Sequence, residues 1–321
     1  MLFRQLLRSV WKHSVLTIEV SAPATSANLG PGYDSFGMAL DLSDSITAVL
    51  HDEPVDLNNC VKVSGEGEGQ LPTTSDHLIH RVTTTILRDR GIDVGDRLTL
   101  DCVNAIPQSR GMGSSAASVV AGISIADVIS EHFEQPKPSA QDKLRWAIHF
   151  EGHPDNAAPA LFGGVSVSWV DGDGQPVSAS LPVHPSITAV LIVPDTRLDT
   201  QVARDLLPEV VPHADAAANS ACAGLLVHAI GNDPSLLFEA TVDRLHQEYR
   251  RSAMPESLAR VDALRDAGLA AVVSGAGPTV AVLGTEVDLL ARCEDILSGD
   301  ESQMIAASIA DSGVVVTSTP R

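Results

Sequence analysis

The sequence predicts an α+β protein built from two domains. Its 321 residues exceed one ordinary domain and suit two. Apolar runs of strand length and of helix length alternate loosely, with hairpin-like pairs among them, which argues against a doubly wound parallel sheet. The turn Asp171-Gly-Asp-Gly-Gln-Pro176 reads as a domain edge. The expected division is an N-terminal extension over 1–14, a first domain over 15–172 and a second over 173–321. Aromatic residues make up only 3% of the chain, so the core has to come from Val, Leu, Ile and Ala.

Taken in order, residues 16–20 alternate apolar and polar and read as a strand. The small, polar, turn-rich stretch 21–34 reads as a long loop, and such loops are usually functional. Residues 35–42 continue with more apolar character, and 44–50 read as a second strand. The glutamates in Gly65-Glu-Gly-Glu-Gly69 would repel phosphate, so that stretch reads as a flexible turn. Residues 77–90 have helical periodicity with Gly91 as the stop. Then come a strand over 98–106, a glycine turn over 107–117 and a small-residue apolar helix over 118–129. Pro136 and Pro138 break the chain, and Ser139 is placed to cap a helix through residue 150. A tight polar segment over 151–156 precedes a strand ending at 170. Beyond it the sequence predicts a strand at 187–193, helices at 200–207, 214–230, 235–248 and 257–267, a strand-turn-strand over 270–283, a helix at 289–297 and a last strand at 313–318. Arg4 and Arg8 interrupt any signal-peptide core, so the first residues read as a poorly ordered extension.

The formal charge of -20 argues against a nucleic-acid partner and an anionic membrane surface, both of which need clustered Lys and Arg. No apolar run is expected to reach the length of a membrane span. Cys60, Cys102, Cys222 and Cys293 are far apart in sequence and form no CxxC, which points to reduced core residues in a cytoplasmic protein.

The stretch Pro107-Gln-Ser-Arg-Gly-Met-Gly-Ser-Ser-Ala-Ala117 lies between a strand and a helix. Gly111 and Gly113 permit positive φ and close backbone approach. Ser114 or Ser115 is placed to cap the helix, whose first-turn amides form an anion site suited to phosphate. An ordinary Gly-Ser helix cap has the same composition, and the stretch alone leaves both readings open. The chain has no Walker A motif and no Gly-x-Gly-x-x-Gly opening a helix.

The order of the motifs is more specific. Pro107-x-x-x-Gly111-Met-Gly-Ser-Ser-Ala-Ala117 and Ser274-Gly-Ala-Gly-Pro-Thr279 resemble the central and C-terminal motifs of the GHMP kinases, with Met112 where Leu is usual. Within that family, Ala22-Pro-Ala-Thr-Ser-Ala-Asn-Leu-Gly-Pro-Gly-Tyr-Asp-Ser-Phe-Gly37 resembles the homoserine kinases. So do Glu151-Gly-His-Pro-Asp-Asn-Ala-Ala-Pro159, Phe162-Gly-Gly164, Asp199-Thr-Gln-Val-Ala-Arg204 and Asp243-Arg-Leu-His-Gln-Glu-Tyr-Arg250. The resemblance runs from about residue 17 to about residue 315.

The resemblance implies a two-domain GHMP kinase fold. The N-terminal domain would be similar to ribosomal S5 domain 2, and the C-terminal domain ferredoxin-like. It implies ATP as co-substrate, Mg²⁺, and transfer of a phosphoryl group to L-homoserine in threonine biosynthesis. The phosphates would lie against Pro107, Gln108, Ser109, Arg110, Gly111, Met112, Gly113, Ser114, Ser115 and Ala116. Ser115 (or Ser114) and Glu151 would hold Mg²⁺. Arg204 and Arg250 would take the substrate carboxylate, and Asp34 its ammonium. Asn28 and Asn156 would orient its hydroxyl, with Thr200 and Gly275 completing the pocket. Asn156, Glu151 and Ser115 would be the catalytic set. Asn156 stands where some relatives place an aspartate, so catalysis without a dedicated side-chain base is expected, with His153 as the rival base. Asp76-His77-Leu-Ile79 stands where the family often shows Asn-Leu-Val near adenine. A homodimer is a family expectation. The same fold would also suit a kinase for another small alcohol, or a sensor that binds ligands without turnover.

Overall fold

The computed structural model describes residues 15–320; the extension expected over 1–14 lies outside them. The first sheet has seven strands, ordered β11-β1-β2-β4-β3, with β5 on β2 and β6 on β5. Here β1 is Leu16–Ala27, β2 Phe36–Leu50, β3 Val61–Gly65, β4 Leu98–Asn104, β5 Val165–Val170, β6 Pro176–Leu181 and β11 Val315–Pro320. Only the β3–β4 pair is parallel. Four helices belong with this sheet: α1 (Leu78–Asp89), α2 (Ser114–His132), α3 (Ala140–Glu151) and α4 (Pro154–Phe162).

β1 shows why part of the predicted loop is a strand. Leu16, Ile18 and Val20 alternate inward as read from the sequence, but burial then becomes continuous from Ala22 to Ala27. The register shifts between Pro23 and Ala24. The small side chains that mimic turn composition are there because other chain closes on both faces of the strand. The loop therefore begins only at Asn28.

α2 is apolar all round. Against the expectation that no apolar run reaches that length, it has the length and hydropathy of a membrane span, yet 72% of its most apolar 18-residue window is buried inside this fold, packed on α1, β1, α3 and α4. A helix hydrophobic on every side belongs in a core. The predicted Ser139 cap of α3 forms as a full capping box with Asp142.

The second sheet is antiparallel, in the order β10-β7-β9-β8. Its strands are β7 (Thr188–Val193), β8 (Ala270–Val273), β9 (Val280–Gly284) and β10 (Gln303–Ser308). This is the 4-1-3-2 order of the split β-α-β-β-α-β unit, so the ferredoxin-like expectation holds. Leu191, Val193 and Ala281 face the main core, while Val190, Ile192 and Val282 pack beneath α8 (Pro255–Asp266) and α9 (Leu289–Ile296). Burial on both faces explains why the run from Ala189 to Val193, after the exposed Thr188, is unbrokenly apolar.

The sequence boundary at 172 meets a complication. β6 and β11 both lie beyond it, yet both pair into the first sheet. β6 is the return strand of a tight hairpin with β5, and β11 covers the open edge of β1. The helix predicted over 235–248 also does not form as one piece. A short turn at Pro234–Leu236 leads into α7 (Leu237–Ala240), and the chain turns again before Glu248–Arg250. The Asp243 carboxylate accepts the amides of Leu245, His246 and Gln247, an alternative to helical bonding that ends the run. Strands β3, β6 and β10 escaped the sequence reading. Of the four thiols, Cys60, Cys102 and Cys293 are buried as expected, while Cys222 is only half-buried.

Candidate active site

One cleft of about 400 Å³ collects almost every residue singled out in the sequence. Its wall includes the whole run from Pro107 to Ser115, together with Asn28, Asp34, Glu151, Asn156, Thr200, Arg204, Arg250 and Gly275. Ala116 stands apart, fully buried in α2. His77 is also outside the cleft lining. It is buried before the first turn of α1, Nδ1 has no partner, and burial with the nearby His80 pushes its pKa down to about 4.

The glycine turn is held by its backbone. Gly111 has φ +77, and a Cβ there would sit 2.3 Å from the Ser274 carbonyl oxygen. The Gly111 carbonyl accepts the Ser274 hydroxyl at 2.7 Å, and the Thr279 amide donates to the Arg110 carbonyl at 3.2 Å. The two glycine motifs, far apart in sequence, are thus fastened back to back. Arg110 is turned away to clamp the carbonyls of Pro194 and Asp195 at 2.8 and 3.2 Å.

The residue before α2 is Gly113, in the left-handed conformation and with no side-chain cap. This corrects the expectation that Ser114 or Ser115 caps the helix: both lie in its first turn, too far along to reach back. The turn's amides and helix dipole are therefore open toward the cleft. The Ser114 hydroxyl is buried without a partner, and the Ser115 hydroxyl donates to the Glu151 carboxylate. Burial raises the Glu151 pKa against the opposing pull of that hydrogen bond.

The opposite wall is charged. The Arg204 guanidinium makes two hydrogen bonds to Asp34, at 2.5 and 3.0 Å, and one to the Tyr33 hydroxyl at 2.9 Å. Arg204 and Arg250 both lie over the Tyr33 ring, 5.7 and 5.5 Å from its centroid. Arg250, only 1% exposed, donates from Nε to the Ala203 carbonyl at 3.1 Å and from Nη1 to the Gly275 carbonyl at 3.2 Å. Nη1 also lies 3.1 Å from His246 Nδ1.

The loop that carries Asp34 is strained. Asn28 (φ 69), Leu29 (φ 48) and Asp34 (φ 54) all take left-handed backbone, which a buried Leu rarely does. Asn28 fixes the loop, donating from Nδ2 to the Gly275 carbonyl at 2.8 Å and accepting the Asp34 amide at 3.0 Å. That leaves one hydrogen and one lone pair of its amide for a ligand. Asn156 is oriented by the Thr25 hydroxyl, which donates to Oδ1 at 2.7 Å.

Sequence reading missed Tyr33, Thr25, Asp155 and His246. Asp155 lines the cleft at 3% exposure, its pKa pushed up to about 7 by burial and by the charge of Asp34. His153 also lines it, with a pKa lowered by burial and by Arg204. The His246 ring is fully buried, which lowers its pKa, while the nearby Asp243 carboxylate opposes that shift. Asp155 was legible as the carboxylate next to Asn156. Nothing in the sequence marks Tyr33 as the ring that two arginines share.

Residues 77–164 match the model of the GHMP kinases N terminal domain, and 226–296 that of the GHMP kinases C terminal domain. A homoserine kinase of Clavibacter michiganensis is 45% identical over 271 residues, covering 84% of this chain and 83% of its own. The chain belongs to the homoserine kinase family of GHMP kinases. A homoserine kinase of Rhodococcus erythropolis is 40% identical over 95% of this chain and 97% of its own. The crystal structure of a homoserine kinase from Cytophaga hutchinsonii superposes with a TM-score of 0.79 at 27% identity, covering 94% of this chain and 97% of that one. A mevalonate diphosphate decarboxylase of Staphylococcus aureus shares the fold, with a TM-score of 0.65 at 15% identity. In this GHMP kinase the glycine turn falls inside the N-terminal family match. Arg250 and Gly275 fall inside the C-terminal one, while Asn28, Asp34, Thr200 and Arg204 lie outside both.

Proposed function

We propose that the protein transfers the γ-phosphoryl group of ATP to the side-chain hydroxyl of L-homoserine, giving O-phospho-L-homoserine for threonine biosynthesis. One observation carries the reading in this chain of homoserine kinase descent. An uncapped helix N-terminus behind a glycine turn shares a single cleft with the Asp34 carboxylate and two guanidinium groups, Arg204 and Arg250. The first suits a polyphosphate and the second a zwitterionic amino acid.

In this reading the amides of 110–115 cradle the phosphates. The substrate carboxylate lies against Arg204 and Arg250, and its ammonium against Asp34. A zwitterion can exchange the existing Asp34–Arg204 pair for two new ones. A sugar or an uncharged alcohol would have to break that pair without replacing it.

The donors at the start of α2 also fit Mg²⁺. Among the described residues no group of three or more His, Cys, Asp or Glu is placed to hold a metal. Glu151 and a first-turn serine hydroxyl offer two hard oxygen donors beside the phosphate turn, and Mg²⁺ completes its shell with waters and phosphate oxygens. Ser115 already meets Glu151, and Ser114, buried and unpartnered, is the alternative hydroxyl. When bound, the ion would neutralise phosphate charge.

Phosphoryl transfer depends mainly on positioning and charge stabilisation. Asn156, held by Thr25, would orient the hydroxyl, and an amide is no general base. The loose transition state makes early deprotonation unnecessary. ADP release measured in parallel with homoserine, mevalonate, galactose and shikimate tests the reading. Homoserine should be the preferred acceptor. Turnover only with a sugar would replace homoserine as substrate, and turnover with none of the four would point to a sensor.

A further inference from the structure

We propose that His246 is a positioning residue for Arg250, holding the guanidinium at the angle that receives the substrate carboxylate. This rests on the reading that Arg250 binds that carboxylate. The geometry defines the ring's protonation. His246 Nε2 lies 2.8 Å from the Gly30 carbonyl oxygen, and Nδ1 lies 3.1 Å from Arg250 Nη1. A carbonyl oxygen only accepts and a guanidinium only donates. The ring must therefore donate from Nε2 and accept at Nδ1, which makes it the neutral Nε2–H tautomer.

Both sides of this bridge are fixed. A Cβ on Gly30 (φ +83) would sit 2.4 Å from the Thr241 carbonyl oxygen, so this close approach of the backbone admits only glycine. Asp243 ties down the turn that presents the ring by accepting three successive amides. Tyr33 flanks the ring, with centroids 5.2 Å apart. With Nε on Ala203 and Nη1 shared by His246 and Gly275, the Nη2 group of Arg250 is left for a ligand. The chain from Gly30 through His246 to Arg250 thus couples the loop that carries Asp34 to the arginine opposite it. The ammonium and carboxylate sites are set at one separation.

Two substitutions divide the ring's two contacts. His246→Gln can still reach the Gly30 carbonyl but offers no acceptor in place of Nδ1. In His246→Asn, Oδ1 stands near the Nδ1 position and can accept from Arg250. Steady-state kinetics would vary homoserine and ATP separately, with thermal melts of each variant alongside. The Gln variant should raise KM for homoserine about 10-fold while KM for ATP stays within about twofold, the size expected for one hydrogen bond to a charged group. The Asn variant should recover most of that loss. Equal rises in both KM values, no rise, or an Asn variant as impaired as Gln would overturn the proposal, because those patterns mark a purely structural histidine. If the Gln variant does not fold, a double-mutant cycle of His246→Asn and Arg250→Lys on KM for homoserine reads the same contact. Non-additive effects support it and additive ones overturn it. Arg250→Ala separates the two levels. If it leaves KM for homoserine unchanged, the carboxylate reading itself fails; if it raises KM while His246→Gln does not, only the positioning role fails.

Discussion

The two walls of the cleft are built in opposite ways. The glycine turn proposed to hold the phosphates is one continuous stretch, 107–115, and what it offers is backbone amides whose direction is set by glycines and a helix start. The charged wall draws on four separated segments: the loop after β1, α5 (Thr200–Asp205) with its approach, the turn around His246 and Arg250, and the glycine at 275. It works through side chains that hold one another. A backbone site tolerates changes of side chain but not of shape. A side-chain site tolerates small shifts of shape but not the loss of a charge.

The sharpest test of that contrast is Gly111→Ala. The added methyl would meet a carbonyl oxygen at 2.3 Å in a left-handed conformation, so ATP-dependent turnover should fall below detection. Near-normal kcat would show that the turn is not rigid. Next in size, Glu151→Gln removes a charge at the edge of the backbone site. Loss of about 10²-fold in kcat, with a higher Mg²⁺ requirement, is expected in assays that titrate the metal; wild-type activity would remove Glu151 from the metal site. On the charged wall, Arg204→Ala should raise KM for homoserine at least about 10-fold and leave KM for ATP nearly unchanged. Equal effects on both would dissolve the distinction between the walls.

A smaller effect should appear in stability. The Asp155 pKa is raised to about 7, above its unfolded value. The native state therefore binds the proton more tightly, and the associated stability is present at low pH and lost as pH rises through about 7. Denaturant melts between about pH 4 and 7 should show wild type losing stability relative to Asp155→Asn; parallel curves would mean that Asp155 is ionised throughout. The smallest effect expected is that of His153→Ala, with less than about a 10-fold change in kcat and an unaltered pH–rate profile. A drop of about 10²-fold together with the loss of an ionisation near that of histidine would instead make His153 the base.

Much of the first wall's local shape is legible in the sequence. The spacing of Gly111, Gly113, Ser114 and Ser115 after an alternating strand is a local pattern, and local backbone geometry is what glycine and serine encode. The helix predicted at 235–248 failed for the same kind of reason in reverse. Its apolar spacing is local, but Asp243 draws three amides out of the helical pattern, and Asn219 Oδ1 accepts the Arg244 amide from a different helix at 3.1 Å. β3, β6 and β10 are short, and their pairing partners rather than their own composition make them strands.

By itself the sequence determined the α+β class, the glycine turn between a strand and a helix and, through the order of its motifs, the kinase family. Only the tertiary structure decided that Asp34 faces Arg204, that two arginines meet the Tyr33 ring and that His246 links Gly30 to Arg250. The reason is physical. A glycine turn is a property of consecutive backbone dihedrals, which neighbouring residues control. A charged pocket is a property of distances between side chains far apart in the chain, which only the packing of the two sheets and their helices sets.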